Sequence, residues 1–223
     1  MKMCLASLGL IAIVGLSPFS AWASVCQAPS PPRVQVLVLD PQPVISTSKS
    51  LKQINASAIG HGLVQKGKMA MGTTESETQS DMNIQFAWQE RRAGSKVVTC
   101  VSVQSMKVRF GHSKLLVSLP REYGRGTCQY KVVHRHEMAH VEVNRGAVRK
   151  YAAILRSEII QDLQRAGIQQ TSTMSRGTKF FEKRLRAVMN DVTGRFNQEI
   201  KVLHGRIDAP NSAYAAQGAC RSW

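Results

Sequence analysis

The chain has 223 residues, 43% hydrophobic and 20% charged, with 30 Lys and Arg against 14 Asp and Glu for a formal charge of +16. That length suits one compact domain or two small ones, and that apolar content can fill a core, which excludes a wholly disordered chain. No fixed-period repeat is present, which excludes a solenoid or a propeller.

Residues 1–23 read as a secretory leader. Lys2 is the only charge before Gln27, an apolar run spans Met3 to Leu16, and Ala21-Trp22-Ala23 supplies an A-x-A cleavage pattern. The run is shorter than the roughly 20 residues a membrane span needs, and no later segment is apolar enough to serve as one. The mature chain is therefore expected to begin at residue 24, exported to the periplasm or beyond the cell, with no transmembrane segment after signal cleavage. Removing Lys2 from +16 leaves +15. Such a charge attracts anionic partners, and for an exported chain an anionic envelope surface, lipid or wall polymer, is the candidate. Specific nucleic-acid binding is not expected, because no such motif is present and aromatic residues are only 6%.

Export also sets the reading of the cysteines. Cys4 lies in the leader, and Cys26, Cys100, Cys128 and Cys220 remain, an even number in an oxidising compartment. Two disulfides are expected, in one of three connectivities. Cys100–Cys128 with Cys26–Cys220 is the expected pairing, because it would staple the core and tie the two ends. No CxxC pair is present, so cysteine ligation of zinc is not expected.

Along the mature chain, residues 24–47 form an extended Pro-rich lead-in in which Val34 to Val38 reads as an edge strand. Ser48 is the expected cap of a short helix carrying Leu51, Ile54 and Ala58 and ending near Gly60. Residues 66–81 are polar and read as a loop. Ile84, Phe86 and Trp88 alternate with polar residues, as in a half-buried strand. Arg91 to Ser95 is turn-like, Val97 to Phe110 reads as one strand or two, and Leu115 to Leu119 as another, stopped by Pro120. Short connections make this sheet antiparallel in expectation. After Cys128 the apolar period changes to about 3.6. One long helix runs from Val133 to Leu163 and closes at Gly167. A polar link follows at 168–178, then a second amphipathic helix from Phe180 to His204-Gly205. Residues 206–223 read as a loop tail, with Cys220 as its anchor.

The chemistry sits at the start of the first long helix, where His136-Glu137-Met138-Ala139-His140 spells H-E-x-x-H. Four residues make one helical turn, so the two imidazoles share a face about 6 Å apart and can bind one zinc ion. Glu137 is rotated about 100° from His136, where it reaches a metal-held water rather than the metal. Zinc needs a third protein ligand. The metzincin continuation fails, because Val143 and Gly146 stand where its glycine and third histidine should be. Glu158 lies about 27 Å along a continuous helix from His140, and Glu142 points to the wrong side. His204 is the candidate. If the two long helices run antiparallel, residue 204 returns to the motif; the bland reading is a helix C-cap. His134 should face away from the motif, and His61 and His112 read as surface residues in Gly-flanked turns. Arg135, Tyr130 and Tyr214 are candidates for stabilising an oxyanion.

From about Ser48 to Gly205 the sequence resembles a bacterial family of predicted secreted zinc-dependent proteases, catalogued as a domain of unknown function. The resemblance rests on the early helix, the strands around Trp88, Cys100-Val101 and Leu119-Pro120, the HExxH motif, and the late His204-Gly205. It implies a zincin-like fold and a hydrolase.

The expectation is therefore an α+β domain over 48–205, an antiparallel sheet packed on two long antiparallel helices. The expected function is a zinc-dependent metallopeptidase acting on a peptide or protein, with His136, His140 and His204 as ligands and Glu137 as general base. Two rivals remain: a noncatalytic envelope-binding protein whose zinc is structural or absent, and a zinc amidase or peptidase acting on cell-wall peptides.

Overall fold

A computed structural model of the chain describes residues 26–27, 30–62, 69–215, 218–221 and 223. The expected leader, 1–23, lies outside the described residues, as does part of the expected loop at 66–81.

The elements in chain order are β1 (Arg33–Leu39), β2 (Val44–Ser46), α1 (Leu51–Gly60), β3 (Thr73–Ala93), β4 (Lys96–Ser118), α2 (Cys128–Ala166), β5 (Gln169–Thr171) and α3 (Met174–Ile207). The chain is α+β. β3 and β4 form one long hairpin, turned by Gly94-Ser95 with Gly94 at φ +64°. β4 is central. β3 pairs along one side of it, and β1, β2 and β5 share the other.

The sheet is mixed, which corrects the antiparallel expectation. β3 and β5 run antiparallel to β4, but β1 and β2 run parallel to it. Short connections argue for antiparallel neighbours only when consecutive strands pair, and β1 and β2 pass over β3 to reach β4. The stretch 73–81 is strand, not loop. Its polar residues sit at the margin of the sheet, where pairing with β4 replaces apolar burial as the stabilising term. Likewise 96–118 is one strand. Register shifts leave Gln104 and Ser113 unpaired as bulges, and each bulge reverses which alternate residues face inward. Buried Met106, Val108 and Phe110 therefore give way to Leu115 and Val117, which in sequence resembles a break.

The cap of α1 is Ser50, not Ser48. Ser50 Oγ accepts from the Gln53 backbone N–H while the Gln53 side chain accepts from Ser50 N–H, a reciprocal capping box. α2 and α3 lie on one face of the sheet and run antiparallel, as Lys150–Glu199, Glu158–Arg195 and Asp162–Arg184 ion pairs record in reversed order. Between them and β4 lies the core, with Val108, Phe110, Val148, Leu155, Phe181, Leu185 and Phe196 all buried. The other face of the sheet carries Asn83, Gln85, Lys107 and Arg109, all exposed.

Both disulfides differ from the expected pairing. Cys26 joins Cys100, and Cys128 joins Cys220. The first ties the lead-in to β4. The second ties the tail to the first residue of α2, because α3 returns the chain to that end of the molecule. His112 is buried, only 1% exposed, and its ring lies 5.7 Å from that of Phe196. This corrects the surface reading, since Gly111-His112-Ser113 is bulged strand under the helices rather than a turn. Among the described residues no helix is long and apolar enough to cross a membrane.

Candidate metal centre

The motif opens α2, and two devices set its position. Thr127 caps the helix by accepting from Tyr130 N–H. Val133 and Val141, buried on the sheet side, then fix the rotation of the first turns against Leu115, Val117 and Leu119. That rotation sends Glu137 toward the sheet and brings His136 and His140 to the end of α3.

Three ligand atoms converge there. His136 Nε2 and His140 Nε2 are 3.1 Å apart, and Asp208 Oδ1 lies 3.2 Å from the first and 3.0 Å from the second. Tetrahedral ligands at 2.0–2.1 Å from zinc stand roughly 3.3 Å apart, so the donor set and its spacing fit such an ion. Histidine and carboxylate donors also suit other divalent transition metals.

The outer contact of His136 fixes its tautomer, and that of His140 admits the ligating one. His136 Nδ1 lies 3.0 Å from the Tyr214 carbonyl, which can only accept, so Nδ1 carries the hydrogen. His140 Nδ1 lies 2.5 Å from His204 Nδ1. With His140 donating and His204 accepting, both Nε2 atoms of the neutral rings present lone pairs to each other and to the Asp208 carboxylate. Three lone pairs at such distances repel unless a cation lies among them, a metal ion or a proton.

The electrostatics agree. Burial works against a charged His136, but the hydrogen bonds to Asp208 and the Tyr214 carbonyl outweigh it and hold the ring above its usual value. Burial pushes the Asp208 carboxyl up, but its two histidine partners prevail and hold it far below the usual carboxylate range. Burial, and then the neighbouring His140, depress His204 to about 4, so it is neutral and able to accept.

His204 thus reaches the motif, as the antiparallel helices require, but on the Nδ1 side of His140 and outside the converging donor set. The third donor is Asp208, the C-cap of α3, one turn beyond His204. In sequence the apolar period ends at His204-Gly205 and leaves Asp208 in the tail. The available signal was the four-residue spacing of His204 and Asp208, which puts both on one helical face.

Glu137 is 3% exposed. Its Oε2 accepts from Thr74 Oγ1 at 2.8 Å, which anchors it to the first residues of β3. Burial pushes its carboxyl up, and the opposing pull of His140, Thr74 and His136 does not cancel that. Gly72 makes room for it: a Cβ at that position would stand 2.7 Å from Glu137 Oε1 and 2.7 Å from Val133 Cγ1.

The remaining candidates are placed as follows. Tyr130 stacks on His134, one turn away on the same helix. Arg135 is exposed, and His61 is the C-cap of α1. Tyr214 approaches the site through its backbone carbonyl. Beside it a shallow groove is lined by Met138, Val143, Ile207 and Tyr214.

The chain matches no protein-family model, no curated protein sequence and no solved structure.

Proposed function

We propose that this protein is an exported zinc-dependent peptidase, with His136, His140 and Asp208 as the metal ligands and Glu137 as the general base. The observation that carries the reading is the convergence of three lone-pair donors within 3.2 Å of one another, with the ligating tautomer of His136 fixed by the Tyr214 carbonyl and that of His140 admitted by His204. Zinc held there would polarise the scissile carbonyl and lower the pKa of a water to about 7. Glu137 would take the proton from the attacking water and return it to the leaving amine nitrogen. Burial holds its carboxyl up, which favours taking a proton, and its hydrogen bond to Thr74 fixes Oε2.

A peptide substrate is favoured by the adjacent sheet margin. β3 pairs with β4 alone among the described strands, so its other edge offers backbone donors and acceptors beginning at Thr73, beside the glutamate. An extended peptide can add there as a further strand. The leader-like first 23 residues and the two disulfides support export.

The test is zinc per chain, measured on protein purified without a metal-affinity tag, together with hydrolysis of casein and of wall peptides. One equivalent of zinc and peptide-bond cleavage are expected. Glu137→Gln should keep the zinc and lose cleavage by at least a hundredfold. Absence of zinc after supplementation at neutral pH, or an active Glu137→Gln protein, overturns the reading. Cleavage of wall peptides alone would narrow the substrate.

A further inference from the structure

The end of the molecule opposite the metal donors is formed by the β3–β4 hairpin tip and the start of α3, about 39 Å along α2 from His140. At the tip Trp88 is 53% exposed and Val97 57% exposed; Arg92 lies on their face of the sheet, and the exposed Arg91 and Lys96 lie on the other. Trp88 pairs with Val101, and Val101 lies against the first turn of α3 so closely that a Cβ on Gly177 would stand 2.5 Å from Val101 Cγ2. The tip is therefore fixed beside α3, whose outer face presents Lys179 and Lys183 one turn apart. Glu90 and Glu182 are the acids interspersed here. Among the described residues none of these five cations makes an ion pair. At the end that holds the metal donors the exposed tryptophan is Trp223, but its ring packs on Tyr123, 6.0 Å between centroids.

We infer that this end docks on an anionic phospholipid surface, with Trp88 and Val97 entering the headgroup layer and the five cations, on both faces of the tip and on α3, reaching the phosphates around them. Charge complementarity gives the sign of the partner. The exposed indole and valine choose a bilayer over a hydrated acidic polymer, since only a bilayer offers an apolar layer beneath its charges. Such docking would hold the opposite end, with its metal donors, away from the membrane and toward envelope substrates. The inference does not depend on catalysis.

The test uses the chain from residue 24, which contains every described residue, with Trp223→Phe so that Trp88 is the remaining indole. Vesicles of phosphatidylglycerol in phosphatidylcholine should bind it and shift its emission to shorter wavelength, and vesicles of phosphatidylcholine alone should not. Arg91→Gln with Arg92→Gln and Lys96→Gln should weaken binding on the order of a hundredfold, at about fivefold per cation. Trp88→Ala should abolish the shift and weaken binding at unchanged charge. An unchanged thermal midpoint in each variant separates docking from folding. The inference fails if the vesicles leave the emission unshifted, if the variants bind as the parent does, or if a soluble polyanion binds while vesicles do not.

Discussion

Asp208 decides what the metal site is. Its carboxylate is the one formally charged donor in the cluster, and half-exposed as it is, it faces both the histidines and solvent. Asp208→Asn keeps the shape but removes the charge that compensates a divalent cation, so zinc affinity should fall by at least a hundredfold in a competition titration against a chelator. His204→Ala should cost less, about 10–100-fold, because it removes an acceptor behind His140 rather than a donor. Equal losses in the two variants would return His204 to the ligand set. His204 also makes a pH prediction for the metal-free protein. Its folded value, about 4, lies below the ordinary 6.5, so between those values the unfolded chain binds more protons and stability falls as pH falls. His112, depressed by burial, adds to that slope, and Glu137, raised by burial, opposes it. Comparing His204→Phe with the parent isolates the term: in urea the parent should lose more stability between pH 6.5 and 4.5 than the variant. The motif histidines and Glu137 were legible in the sequence because their spacing is one helical turn. Asp208 was not, because a helix end has no periodicity beyond it to mark where the helix stops.

At the scale of elements, the long helices were legible in their period and the sheet only in part. Bulges at Gln104 and Ser113 invert the alternation of β4, so two-residue periodicity breaks where the strand does not. The pairing of cysteines was also hidden, since it depends on where α3 delivers the tail. That delivery has a consequence at the site. Cys128–Cys220 holds the tail against the start of α2, Ser212 Oγ donates to the Ile207 carbonyl, and Tyr214 N–H donates to Ser212 Oγ, which together place the Tyr214 carbonyl on His136. A disulfide outside the donor set therefore supports the orientation of His136. Cys128→Ser with Cys220→Ser should lower zinc affinity by about 10-fold while leaving Cys26–Cys100 intact. An unchanged affinity, with the tail shown to be released by faster proteolysis beyond residue 208, would mean that His136 needs no such support.

For the whole molecule, the metal would close a loop that the fold leaves to weak contacts. His140 and Asp208 stand at the open ends of a helical pair whose middle is secured by a shared core and three ion pairs, and imidazole and carboxylate contacts join those ends. Each disulfide closes a loop of 74 or 92 residues, worth about 4–5 kcal/mol on a chain-entropy account. The oxidised domain should therefore remain folded without metal. Zinc acts on top of that by binding the native state alone, about 2.7 kcal/mol at a free concentration of a hundred times Kd. For a domain of this size that corresponds to a rise of roughly 5–10 °C in the unfolding midpoint. Scanning calorimetry of oxidised protein should show this rise with zinc and its loss with a chelator. The midpoint of Asp208→Asn should respond to neither. A chelator that unfolds the oxidised parent outright would instead make the ion an obligatory part of the fold, and a structural metal with closed coordination would then be favoured over a catalytic one.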